Sequence, residues 1–261
     1  MSIKNKAAAT VMTISLAGGI GAIAMASAGS ANAATPPCGP SCIDLFSKNF
    51  GSHSSPNFVV EAEGQRAAVG TPVILMRQSN SDQGEDFTVD EEGRVSEFYA
   101  LGLVSPGVAL HYGCTDAVMG KCSNNGGIGV NDYAYEFQYT PYGAQTGLCI
   151  GVGSTAARGT KVSLQPCGVS GKTVWVLDSL DESTAPDPDG DWPMINGSDT
   201  NFSEPYVLTY PASGYPTDQP RPQLYTTNLT GFAQGANNGT PGGDDDVNSN
   251  QLWSWNWGVL P

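Results

Sequence analysis

Leu148-Cys149-Ile150-Gly151-Val152, followed by Gly159-Thr160, then Val162, Leu164 and Cys167, then Val174-Trp175, is the stretch on which the reading of this chain turns. Apolar residues alternate with period two on either side of a glycine-containing turn, and a large aromatic anchors a third segment. That is the pattern of half-buried β-strands, and the spacing leaves no room for a helix. The same parts recur in the same order at Phe58-Val59-Val60-Glu61-Ala62, Gly70-Thr71, Val73, Leu75 and Phe87. They recur again at Tyr206-Val207-Leu208, Leu224 and Gln251-Leu252-Trp253. Three unevenly spaced copies predict an all-β fold with pseudo-threefold repeats and long loop insertions.

Taken together, Leu148 to Val152, Gly159-Thr160, Leu164-Gln165-Pro166-Cys167 and Trp175, closed by Gln251-Leu252-Trp253, resemble the ricin-B-type β-trefoil with its Gln-x-Trp repeats. The resemblance covers residues 58–261 and implies one β-trefoil domain there, in which each unit buries its apolar face against the other two. It also implies where sugar would bind. A carboxylate in the first strand of a copy accepts sugar hydroxyls, an aromatic stacks on the ring, and a polar pair around Gln-x-Trp completes the site. The carboxylate position falls at Glu61, Gly151 and Thr209, and the glutamine position at Glu85, Thr173 and Gln251. No copy keeps both, and a pocket without its bidentate acceptor loses hydroxyl selectivity. Glu61, Gln251 and Trp253 remain as the carbohydrate candidates.

Outside the repeats, Lys4 and Lys6 lead an apolar stretch that ends in Ala31-Asn32-Ala33, so residues 1–33 are expected to be a secretory signal peptide. Residues 34–57 are read as an N-terminal extension carrying Cys38 and Cys42. Its flanks are rich in Gly, Ser and Pro, while its centre holds Ile43, Leu45, Phe46 and Phe50. Those apolar side chains either pack back onto the trefoil or dock into another protein, and the docking role makes them the candidate partner-binding residues. Between the first and second copies, Phe98 to Leu101, Val108 to Tyr112 and Tyr133 to Tyr139 are expected as further strands. Residues 178–193 and 226–250 read as acidic and Asn/Gly-rich loops.

All six cysteines follow residue 33, as expected of a protein exported to an oxidising compartment. They admit 15 pairings. The trefoil resemblance implies Cys149 with Cys167, and a sequential scheme adds Cys38 with Cys42 and Cys114 with Cys122.

The formal net charge is −14, and removing Lys4 and Lys6 makes the exported chain more negative still. Beyond Trp175 the one basic residue is Arg221, against 12 acids. Nucleic acid and anionic membrane surfaces are excluded as partners, because both need clustered Lys and Arg. Asp187, Asp189 and Asp191 alternate as the start of a calcium loop does. Trp192 and Ser198, however, stand where an EF-hand needs Gly and Glu, which favours a solvated acidic loop and no metal. There is no Gly-x-Ser-x-Gly elbow, and His53 and His111 sit in no recognisable catalytic context, so no enzyme and no cofactor are expected.

The expectation is therefore a secreted, disulfide-stabilised, non-enzymatic binding protein. Its foremost reading is an adaptor subunit of an extracellular multi-protein assembly, with some similarity to adaptor subunits of umbrella-type secreted toxin particles through Cys42-Ile-Asp-Leu-Phe-Ser. A ricin-B-like lectin that binds glycans is the alternative, and a β-trefoil protease inhibitor a further one.

Overall fold

The computed structural model describes residues 42–48, 58–79, 82–112, 114–116, 121–122, 133–177, 191–200, 205–211, 223–228 and 249–257. Three successive stretches each supply four strands. The first holds β1 (Cys42–Ser47), β2 (Phe58–Ala62), β3 (Val73–Arg77) and β4 (Phe87–Arg94). Two short helices, α1 (Val95–Ala100) and α2 (Pro106–His111), and a small ribbon of β5 (Cys114–Asp116) and β6 (Lys121–Cys122) come next. The second stretch holds β7 (Tyr133–Tyr139), β8 (Leu148–Val152), β9 (Val162–Pro166) and β10 (Trp175–Leu177). The third holds β11 (Trp192–Asn196), β12 (Tyr206–Thr209), β13 (Tyr225–Asn228) and β14 (Leu252–Trp257).

The outer strands of each stretch close a barrel. β1 pairs with β4, β4 with β7, β7 with β10, β10 with β11, β11 with β14, and β14 returns to β1, all antiparallel. The inner strands form the hairpins β2–β3, β8–β9 and β12–β13. Single bridges lace the hairpins in a ring, Pro72 to Ser163, Ile74 to Gln223 and Lys161 to Tyr225. A six-stranded barrel capped by three mutually bridged hairpins is a β-trefoil.

The repeated residues of the sequence carry this symmetry. Leu75, Leu164 and Leu224, and Phe87, Trp175 and Trp253, all lie buried in one core cluster. The Gly-Thr pairs serve the hairpin ring: Gly70 N donates to Leu164 O at 2.8 Å and Gly159 N to Thr226 O at 2.7 Å. Both glycines adopt positive φ, 84° and 81°, which other residues rarely tolerate. Cys149 and Cys167 form a disulfide across the β8–β9 hairpin, as the trefoil resemblance implied. Cys42 and Cys114 are also disulfide-bonded, and Cys122 faces Cys114 in the β5–β6 register.

Two expectations are corrected. The docking arm is part of the barrel: β1 lies between β14 and β4, so the trefoil begins at least 16 residues before Phe58, with Cys42. Ile43, Leu45 and Phe46 are exposed by 2%, 0% and 1%, which leaves no side-chain surface for a partner. Barrel closure explains this, because without β1 two neighbouring strands would present unpaired N–H and C=O groups. Phe50 lies outside the described residues.

The second correction concerns the insertion, where Phe98 to Leu101 and Val108 to Tyr112 were expected as strands and fall instead at α1 and α2. Pro106 occupies the first turn of α2, and the Ser105 hydroxyl accepts a hydrogen bond from Val108 N at 3.1 Å. Glu97 Oε2 accepts from Arg94 N at 2.8 Å at the start of α1. Both are helix-start signals. Val95, Phe98, Val108 and Tyr112 pack on Ala134, Val176, Ile195 and Leu252, forming a second core outside the barrel wall. Among the described residues no helix is long and apolar enough to cross a membrane.

Candidate functional site

The fold sets each carboxylate position against its glutamine position, and the three units solve this contact differently. In the third, Gln251 Nε2 donates to Thr209 Oγ1 at 3.3 Å and to the Asn228 carbonyl at 2.9 Å. In the second, a side chain on Gly151 would bring its Cβ within 2.7 Å of Lys172 O and 2.8 Å of Thr173 Cγ2. The acid is missing from that copy because the neighbouring chain fills its place. The first sets Glu61 against Glu85.

Glu61 and Gln251 therefore belong to separate units and do not make one sugar site, and both are 1% exposed. Trp253 is 0% exposed, and its Nε1 donates to Leu208 O at 2.9 Å, as Trp175 Nε1 donates to Ile150 O at the same distance. Trp253 is thus a core anchor. An indole whose ring is enclosed and whose N–H is bonded to backbone offers no face for a sugar to stack on.

In the first unit Asp82 joins the pair, and oxygens of Glu61, Asp82 and Glu85 lie within 4.8 Å of one another. A short 3-10 turn, Gln83–Glu85, presents Glu85, and Asp82 caps it by accepting from Gly84 N at 2.9 Å. Gln65 Nε2 donates to the same Asp82 oxygen at 3.0 Å, and Ser79 N reaches both Glu85 oxygens at 3.0 Å. Burial raises the Glu85 carboxyl to about 9, against the Ser79 bond and with help from the charges of Asp82, Asp44 and Glu61. Asp86, next in the chain, is raised to about 6, first by burial. The Tyr139 hydroxyl is pushed up by burial and by the charges of Asp86, Asp82 and Glu61.

A cleft of about 410 Å³ opens where α1 meets β4 and β7, with Glu91, Glu92, Glu97 and Glu136 around Phe98 and Leu101. Glu136 lines it and is 0% exposed. It accepts from Gly168 N at 3.0 and 3.1 Å and from the Thr173 hydroxyl. Burial raises its carboxyl above the ordinary range; those two donors oppose the shift, and Asp90 and Glu91 add to it. Sequence reasoning missed this cleft because it treated the insertion as strands. The Ser105-Pro106 helix start was the available signal.

The Asp187-Asp189-Asp191 candidate is described at Asp191 alone. That residue is 5% exposed and lies 3.9 Å from the Lys48 ammonium, a cation that opposes a metal there. Asp187 and Asp189 lie outside the described residues.

No family model and no curated protein matches the chain. Among solved structures it is similar to the designed threefold-symmetric protein ThreeFoil, with 11% identity over 82% of this chain and 97% of that one and a TM-score of 0.44. It is also similar to the Macrolepiota procera ricin B-like lectin in complex with lactose, with 13% identity, 84% and 96% coverage and a TM-score of 0.41. The Polyporus squamosus lectin shares 9% identity over 83% of this chain, at a TM-score of 0.43, and the match spans 49% of that lectin's length.

Proposed function

We propose that this protein is an exported, non-catalytic carbohydrate-binding module whose ligand enters the cleft beside α1. The cleft itself carries the reading, because it combines carboxylate acceptors with an apolar wall on a closed barrel. The exposed carboxylates of Glu91, Glu92 and Glu97 accept hydroxyl pairs while Leu101, 72% exposed, supplies the apolar contact that orients a sugar. The inherited positions around Gln251 and Trp253 are enclosed and serve the scaffold instead. Export is supported by the Lys4 to Ala33 leader pattern and by disulfide bonding at Cys42, Cys114, Cys149 and Cys167.

Three exposed glutamates around one cleft, Glu91, Glu92 and Glu97, select against anionic ligands. On a glycan array the mature chain is expected to retain neutral or amino sugars and to pass over sialylated and sulfated ones. Glu97→Gln and Leu101→Ala should each reduce the signal about tenfold, in line with the loss of one good polar or apolar contact. A blank array, or signals that ignore both substitutions, would reject the reading.

An adaptor subunit of an extracellular, toxin-type assembly is the second reading. Leu101 at the cleft and Val169 next to cleft-lining Gly168 are 72% and 71% exposed, and they favour it. Exposed apolar residues beside an acidic cleft suit a partner that brings a basic side chain. Gentle copurification from culture medium is expected to return a larger protein that is lost on Leu101→Asp. Recovery of a solitary monomer counts against this reading.

A further inference from the structure

The first unit replaces a neutral contact with three carboxylates. Where the third unit sets Gln251 Nε2 3.3 Å from Thr209 Oγ1, the first sets Glu85 against Glu61, with Asp82 beside them. Glu61 and Glu85 are 1% and 5% exposed, so water screens their repulsion poorly. The donors that reach Asp82 and Glu85, namely Gly84 N, Gln65 Nε2 and Ser79 N, are all neutral. They orient Asp82 and Glu85 without balancing the charge of those two groups.

A second observation points into the same place. Tyr139 is 0% exposed and its hydroxyl has no hydrogen-bond partner, although it lies near enough to Asp86, Asp82 and Glu61 for their charges to act on it. Buried hydroxyls are almost always bonded, so one left over beside a cluster of acids needs a partner that an ion or the water it carries can supply.

We propose that Glu61, Asp82 and Glu85 bind a calcium ion, with the Tyr139 hydroxyl bonded to one of its waters. A donor set made only of oxygen selects a hard cation over zinc or copper. Calcium suits it better than magnesium, because three carboxylates and few waters serve the larger ion, whereas magnesium keeps most of its own water. The ion ties Glu61 at the end of β2 to the turn that leads into β4, and so links the hairpin cap to the barrel. The site includes neither Asp191 nor any residue of the cleft beside α1.

Calorimetric titration of the EDTA-stripped mature chain with calcium chloride tests this, together with thermal melts at the same concentrations. One ion per chain is expected, with a Kd on the order of 10⁻⁴ to 10⁻³ M or tighter, the range of extracellular modules. The melting temperature should rise with calcium. Glu85→Gln keeps the shape of the side chain and should weaken binding at least about tenfold, as loss of one charged ligand does. Asp82→Asn, at a half-exposed position that tolerates substitution, should do the same and gives the answer if the first variant does not fold. Asp191→Asn should leave the titration unchanged. Absence of binding heat and of any melting shift at about 10 mM calcium, well above that range, overturns the proposal. So does wild-type affinity in both cluster variants, or loss of binding in Asp191→Asn.

Discussion

Gln251 spends its side-chain amide inside the protein, donating to Thr209 Oγ1 at 3.3 Å and to Asn228 O at 2.9 Å. A glutamine of the Gln-x-Trp motif that is 1% exposed and doubly bonded ties β14 to the β12–β13 hairpin. Gln251→Ala leaves one buried and one half-buried acceptor short of a donor, so unfolding in urea should show a loss of about 1–3 kcal/mol. Glycan binding should stay at the wild-type level. Loss of binding without loss of stability would instead make Gln251 a contact residue.

The Cys149–Cys167 disulfide closes the β8–β9 hairpin, which bears on both of its neighbours through the hairpin ring. A Cys149→Ala/Cys167→Ala chain should lose about 3 kcal/mol, the chain-entropy value for a loop of this length. Equal urea midpoints for the two proteins would show that the hairpin is held by its other contacts.

Side-chain periodicity made the hairpins legible, because each has one face in the core and a turn that needs glycine. It did not reveal β1, whose burial on both faces removes alternation from Cys42 to Ser47. The insertion misled for the opposite reason. Phe98 to Leu101 is a short apolar run that suits strand or helix equally, and Ser105-Pro106 and Glu97 had to decide it. The acid at position 61 was visible in sequence, whereas its meeting with Asp82 depends on a turn 21 residues away.

Leu45 gives the barrel assignment a direct test. It is 0% exposed and packs among the residues of the main core, so Leu45→Ala should cost about 2–5 kcal/mol. Deleting residues 34–57 removes β1 altogether and should abolish cooperative unfolding, where a docking arm could be removed without harm. A truncated chain that melts like the full one would return Ile43, Leu45 and Phe46 to the role of partner contacts.

Glu136 makes stability depend on pH in a direction that can be worked out. Burial raises its carboxyl in the folded protein, opposed by the Thr173 and Gly168 donors, while the unfolded chain titrates near the ordinary 4.5. Below that value both states hold the proton and the contribution is complete. As pH rises, the unfolded chain loses its proton first and the folded chain binds more, so stability falls until the folded group also ionises. Urea midpoints of the wild type should therefore decline from about pH 4.5 upward, the direction linkage requires for a carboxyl whose proton affinity the fold raises. Glu136→Gln cannot ionise and should flatten part of that decline, with its amide oxygen still able to accept from Gly168 N. Parallel curves for the two proteins from pH 4 to pH 8, a range of about four units around neutral and acid conditions, would show that Glu136 titrates alike in the folded and unfolded chain and that its donors offset its burial.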